Sequence, residues 1–281
     1  MITLKQSDQY IKFKQHSGWN SNRVSDLWVL YKQAWYIGRH ARIEQMPFPP
    51  DKKKLLDFLN GRRIRQIGFE ANADFKGKND LRELIRFLAE NGVTTRNFYD
   101  SSATKEIVID TSVDFFILTS RFTTKKRKEI RRARKNNFVV KKSLNIDDFI
   151  QTKVISSGNR HLVLHHKIKF LPKYFGSSNI PVVSLYTLSG EFVGANVSVI
   201  WKNTAYYWGV GVTQFGQKNL ASNILVIEML KFIQELGVSK FNFGGVWDER
   251  IPNINKGWKG IDYFKRGFGG NYVYLPIVNS K

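Results

Sequence analysis

Lys265 is the residue whose neighbours best fit it to act on charge. It stands in the stretch Gly260 to Gly270, which holds three aromatics and four glycines in eleven residues. A surface loop has no need of three aromatics, and a core helix would not carry four glycines. A cation among small and aromatic neighbours is poorly solvated, so its field is stronger. The chemistry this suits is stabilisation of developing negative charge. A second concentration of cations runs from Lys125 to Lys135, KKRKEIRRARK, eight basic residues in eleven with Glu129 as the one acid. Its pairs Arg127/Arg131, Lys128/Arg132 and Arg131/Lys135 repel at i, i+4, by about 0.2–0.5 kcal/mol each in an isolated helix. A phosphate-binding surface explains such a helix, with Lys125, Lys126, Arg127, Lys128, Arg131, Arg132 and Arg134 as ligands; a solvated basic face is the alternative.

Other chemistries find less support. The chain has no cysteine, hence no disulfide, thiol nucleophile or cysteine-zinc site. His161 and His165 share a helix face and His166 adjoins them, but no HExxH glutamate or nearby acid completes a ligand set, and no metal is expected. No serine-histidine-acid array has a recognisable context. The 45 Lys+Arg exceed the 23 Asp+Glu by 22, which points to a polyanionic partner: nucleic acid, an anionic membrane surface or a phosphorylated substrate. The polar start MITLKQSDQYIKFK does not read as a signal peptide, and no run of eighteen apolar residues occurs. A cytoplasmic protein is expected, with at most peripheral membrane contact. Its 281 residues suffice for one large or two small domains.

Periodicity supplies the elements that must position these groups. Residues 25–36, SDLWVLYKQAWY, read as a helix capped by Ser25, with Lys32 between Trp28 and Trp35. Residues 51–60 read as a helix stopped at Gly61, 64–69 as a strand, 80–91 as an amphipathic helix capped by Asp80 or Asn79, and 103–110 as a strand. Thr123 or Thr124 caps the basic helix. Residues 147–170 read as largely helical with a polar break at 156–160. Three antiparallel strands follow at 182–188, 191–200 and 204–212. Tyr206, Tyr207 and Trp208 put aromatics on both faces of the third, and Tyr207 is the candidate to face a substrate. Residues 219–236 form the strongest helix; Phe241-Asn242-Phe243 is a short strand ended by Gly244-Gly245. Periodicity alone gives an α/β protein with a mixed sheet.

The strand followed by Gly-Gly, with the later GxxxFKxxFGG, resembles the Fem-type aminoacyl transferases. These build the interpeptide bridges of peptidoglycan from aminoacyl-tRNA, on a fold related to the GNAT-type N-acetyltransferases. The segment Arg127 to Lys135 is likewise similar to that family's basic R-x-x-I-R-x-A-x-K helix. The resemblance implies an α/β, mixed-sheet GNAT-type acyltransferase fold in two tandem halves: residues 1–121, a connecting helix and linker 122–144, and 145–281. It implies Lys265 as oxyanion stabiliser and Glu70, at a strand end, as second catalytic residue, with Ala71 where the family commonly has proline. Lys32 would face the phosphates of a nucleotide-linked acceptor. Arg160, in Ser157-x-x-Arg160, would hold the acceptor together with Tyr207 and Phe264; Leu164 replaces the family's downstream tyrosine. The implied reaction moves an amino acid from aminoacyl-tRNA to an amine of a peptidoglycan precursor, with no cofactor and the tRNA as co-substrate. The alternatives are an acyl-CoA-dependent N-acyltransferase using acetyl-CoA or another acyl-CoA, and a non-catalytic RNA- or membrane-surface-binding protein. Acetyltransferases of this fold cradle the CoA pyrophosphate in a Gln/Arg-x-x-Gly-x-Gly/Ala loop. Here Gln214 is followed by Gln217 and Asn219 at the small positions, which argues against CoA.

Overall fold

The structure, a computed structural model, describes residues 3–34, 38–96, 103–150 and 167–277. The chain forms two compact units, Met1–Lys105 with Asp248–Lys256 and Val273–Lys281, and Glu106–Trp247 with Gly257–Tyr272. The boundaries expected at 121 and 144 both fall inside the second unit, to which the basic helix belongs.

The first unit opens with α1 (Asp8–His16), whose first turn is closed by the Ser7 hydroxyl accepting from the Tyr10 N–H. Then come β1 (Asn20–Val24), β2 (Leu27–Ala34), β3 (Gly38–Met46), α2 (Lys52–Gly61), β4 (Gln66–Ala71), α3 (Lys78–Glu90) and β5 (Thr94–Arg96). The sheet runs β1-β2-β3-β4-β5, antiparallel through β3 and parallel beyond it. The helix expected over 25–36 is therefore a correction: β2 is a strand. Ser25 and Asp26 both have positive φ, 49° and 62°, and close a two-residue hairpin whose twist suits the flanking strands. Leu27 and Val29 pack in the core with α2 and α3, while Leu30 is buried on the opposite face. Burial on both faces gave the strand an apolar spacing that imitates a helix. α2 covers the helix expected over 51–60, with Asp51 as its cap and Gly61 inside its last turn, but α3 starts after Gly77 at φ 96°, with Asp80 in its first turn rather than at the cap.

The later segments of this unit are tied by Arg250. Its guanidinium donates to the Asp248 carboxylate at 2.7 Å and to the carbonyls of Thr104 at 2.7 Å and Leu275 at 3.0 Å. Asp248, almost fully buried, also accepts from the Thr104 hydroxyl at 2.7 Å.

The second unit contains β6 (Lys105–Asp110), α4 (Phe115–Ser120), the basic helix α5 (Thr124–Arg134), β7 (Val139–Ser143), α6 (Leu171–Phe175), β8 (Val182–Tyr186), β9 (Phe192–Trp201), β10 (Thr204–Val212), α7 (Gln214–Lys218), α8 (Ala221–Glu235), β11 (Lys240–Gly245), α9 (Trp258–Arg266) and β12 (Asn271–Tyr274). Its seven-stranded sheet has the order β12-β6-β11-β10-β9-β8-β7. The meander β8-β9-β10 is antiparallel as expected, and β11 joins β10 in parallel after the α7–α8 crossover. The helix expected over 219–236 is interrupted at its start: Leu220, at φ 58°, separates α7 from α8. α8 is buried along most of its length, so its side chains fill the core between sheet and α5. The residues after 150 that were expected to be helical, with the three histidines and Arg160, lie outside the described residues up to 166.

The two units repeat one plan. In each, two antiparallel strands are followed by a helical crossover to a parallel strand, β2-β3-β4 and β9-β10-β11. In each the middle strand is bulged, between Ile43 and Met46 and between Tyr207 and Gly209. The mixed-sheet, two-half architecture of a GNAT-type acyltransferase is thus present.

The closing Gly-Gly of the second unit is a packing device. Gly270 has φ 92°, and a Cβ there would stand 2.9 Å from the Val108 carbonyl oxygen and 2.9 Å from Ile109 Cγ1. Gly270→Ala is expected to destabilise the protein by about 2 kcal/mol or more, from left-handed strain and steric overlap together. Chemical denaturation of variant and parent measures it.

Candidate active site

The parallel ladder between β10 and β11 is short. It joins Thr204 to Lys240, Ala205 to Phe241 and Tyr206 to Asn242, and there it ends, although β10 continues to Val212 and β11 to Gly245. Asn242 builds the departure. Its side-chain oxygen accepts from the Gly244 N–H at 2.7 Å, and its amide donates to Glu106 on β6 at 2.8 Å. Gly244 adopts φ 70°, and the register to β6 shifts between Asn242 and Gly245.

Lys265 takes the place of the lost ladder. Its ammonium donates to the carbonyls of Phe243 at 2.7 Å and Gly245 at 2.8 Å, using two of its three N–H groups. The Tyr207 ring centroid is 5.8 Å from the same nitrogen, and the ring packs edge-on against Phe241 and Phe243. Burial lowers the Lys265 pKa to about 8 against the attraction of Glu106 and Asp262. Burial also pushes Tyr207 well above the usual tyrosine value, so its hydroxyl stays protonated; Tyr206, with Glu106 adding to burial, is raised to about 12. Lys265 and Tyr207, both expected as site residues, therefore come together at the parting strands. Glu106, Asn242 and Asp262 complete the surroundings. None was singled out from sequence, although a polar residue between Phe241 and Phe243, and an acid leading into Ile107-Val108-Ile109, were the visible signals.

The glycines are not the lining of the Lys265 pocket, as the motif implied. Gly269 and Gly270 abut Arg121 and β6, and it is the carbonyl of Gly245 that Lys265 bonds. Phe264 turns to the basic helix: its ring meets Phe268 edge-on at 5.3 Å and carries the Lys126 ammonium at 4.3 Å.

Lys126 is a further correction. It was counted among the phosphate ligands, yet it is buried, donating to Asn223 at 2.8 Å and paired with Glu129 at 2.8 Å. It shares the inward stripe of α5 with Ile130 and Ala133, and burial lowers its pKa despite Glu129. The remaining cations of α5 are exposed and fall on two faces. Lys125, Lys128, Arg132 and Lys135 share one; Arg127, Arg131 and Arg134 share the other. Arg127 also donates to the carbonyls of Ser120 and Phe122.

Glu70 and Lys32 belong to the first unit. Glu70 is buried rather than solvated, and both its oxygens accept from the Lys5 ammonium, at 2.7 and 3.0 Å. Lys32 does not stand between two indoles. Along a strand Trp28 is about 13 Å away, and Trp35 is outside the described residues. Instead the Lys32 ammonium lies 4.5 Å from the ring of Trp19, which Lys14 and Arg42 also approach, at 5.1 and 5.4 Å. Among the described residues no group of three or more His, Cys, Asp or Glu is placed to hold a metal, and no helix is long and apolar enough to cross a membrane.

The sequence pattern of the acetyltransferase (GNAT) domain matches residues 124–266. No curated protein sequence matches. Among solved structures, FemX superposes with a TM-score of 0.68 at 12% identity, over 97% of this chain and 90% of that one. The C-terminal domain of a putative lysylphosphatidylglycerol synthetase from Agrobacterium fabrum gives 0.59 at 14% identity, over 98% and 88%. A conserved protein of unknown function from Bacteroides thetaiotaomicron gives 0.59 at 12%, over 98% and 89%. At such identities the likeness is one of fold.

Two outcomes follow from the lysines. If the Lys265 ammonium is the working form, turnover falls as pH rises through about 8, and Lys265→Arg, whose guanidinium stays charged, lacks that fall; a pH–rate profile of both proteins decides it. Stability moves the other way. The unfolded chain holds this proton more tightly, so the burial cost is full below pH 8 and fades toward the ordinary lysine value of 10.5. Lys126→Ala is expected to cost at least about 2 kcal/mol, because Glu129 and Asn223 lose a buried partner, and the exposed Lys128→Ala less than about 0.5 kcal/mol. Denaturant unfolding compares them.

Proposed function

The chain belongs to the GNAT acetyltransferase family, and within it we propose that this protein transfers an aminoacyl group from aminoacyl-tRNA to an amine, with a peptidoglycan precursor as acceptor. The observation that carries the reading is the Lys265 ammonium at the parting of β10 and β11, with one N–H left beyond its two carbonyl partners. An aminoacyl ester is already activated. A neutral amine attacks its carbonyl carbon, and negative charge gathers on the carbonyl oxygen. The ester C–O bond then breaks, an amide remains, and the ribose oxygen leaves with a proton. The enzyme must supply proximity and a donor for the oxyanion; Lys265 is the donor, and Tyr207 fixes the apolar wall beside it. Glu70, with both oxygens bonded to the Lys5 ammonium, suits positioning better than proton removal. Lys32, beside Trp19, suits an acceptor that carries phosphate, whereas Lys14 and Arg42 there face the buried Glu44 carboxylate at 3.7 and 3.8 Å.

A charged tRNA is favoured over acyl-CoA by the segment that would have to cradle a pyrophosphate. Residues 214–218 form the turn α7, and three N–H groups of this segment are used internally. Gly216 donates to the Thr213 hydroxyl at 3.1 Å, Gln217 to the Thr213 carbonyl at 2.9 Å and Asn219 to the Phe215 carbonyl at 3.1 Å. Gly216 serves packing, since a Cβ there would lie 2.8 Å from the Val193 carbonyl oxygen. The outward stripe Lys125, Lys128, Arg132 and Lys135 offers the tRNA backbone a phosphate track.

Charged tRNA and acetyl-CoA, each supplied with a peptidoglycan precursor, test the reading by the mass of the product. Transfer from tRNA is expected, and Lys265→Ala should lower kcat by about a hundredfold. Transfer from acetyl-CoA with none from tRNA overturns it. Replacing Lys125, Lys128 and Arg132 together with Gln should reduce the slope of log affinity for tRNA against log salt by about 2; an unchanged slope would remove that stripe from the RNA site.

A further inference from the structure

The second stripe of α5 faces a cavity that the acyl transfer does not use. A groove of about 760 Å³ runs between α4 and α5. Its floor is apolar, formed by Phe115, Phe122, Ile130 and Ile227. Arg127, Arg131 and Arg134 stand along one wall. Phe116, in the first turn of α4, lines the groove and is 80% exposed, and the next residue, Ile117, is 47% exposed. A soluble surface has no reason to present an aromatic and a β-branched side chain in succession beside three arginines.

We propose that this groove is a docking site for an anionic phospholipid bilayer. Charge complementarity selects the occupant: Arg131 and Arg134 take lipid phosphates while Arg127, bonded to the Ser120 and Phe122 carbonyls, adds its charge to the wall, and each cation near a negative surface contributes attraction of similar size. The apolar parts fit the same partner. Phe116 and Ile117 enter the boundary between headgroups and acyl chains, as the apolar face of an interfacial helix does, and the apolar floor accepts acyl-chain methylenes. An RNA ligand would use the arginines but leaves Ile117 and the isoleucine floor without a role. The outward stripe lies on a different face of the helix, so bilayer and tRNA do not compete for one set of cations. The proposal does not depend on which acyl donor the enzyme uses.

Co-sedimentation of the full chain with vesicles tests it, using phosphatidylcholine vesicles with and without 30% phosphatidylglycerol (roughly the anionic fraction at which such attraction is strong). Binding to the anionic vesicles alone, weakened by salt, is expected. Phe116→Ser with Ile117→Ser changes only exposed side chains and should weaken binding about tenfold or more, as should Arg131→Gln with Arg134→Gln. Thermal melting of both variants should match the parent. Absence of binding to anionic vesicles overturns the proposal, as does undiminished binding by the Phe116/Ile117 variant. If that variant instead loses tRNA affinity and keeps vesicle affinity, the groove is an RNA platform and the proposal fails.

Discussion

The contact on which the candidate site depends is an ammonium holding two strand carbonyls. A sheet that stops pairing midway leaves backbone acceptors in need of donors, and buried acceptors without them are costly. Lys265 satisfies those of Phe243 and Gly245 from the side. The cleft between β10 and β11 and the lysine are therefore one feature. Without the parted strands the lysine has no reason to be buried there, and without the lysine the carbonyls of the parted strand lose these donors. The same burial lowers its proton affinity into the physiological range. A structural requirement and a chemical one are met by a single side chain.

Much of the second unit was legible because its signals are local. Thr123 caps α5, the meander β8-β9-β10 alternates between turn residues, and Gly244-Gly245 marks the end of β11. The first unit hid itself where burial is two-sided. β2 carries Leu30 on one face and Val29 on the other, and nothing local distinguishes that from a helix. Side-chain partners were the other blind spot. Seven cations in one helix look alike in sequence, and only packing shows that Lys126 is part of the core while its neighbours are not. Glu106 and Asn242 lie 136 residues apart and meet only because β6 pairs with β11.

Lys126 has a structural role of its own. It joins α5 to α8 through Asn223 and to α9 through the rings of Phe264 and Phe268, at 4.3 and 4.7 Å. The helix that follows the parted strands is thereby fixed to α5.

The Arg250 clamp bears on how the protein is made. Thr104, Asp248 and Leu275 belong to one compact unit but are separated by most of the other in the chain. On a ribosome that releases residues from the N-terminus onward, the first unit emerges early without the segment that closes it. The second unit is synthesised while the Thr104 carbonyl and hydroxyl still wait for their partners, and the clamp shuts only after Leu275 has left the exit tunnel. Completion of the first unit is thus coupled to synthesis of the second.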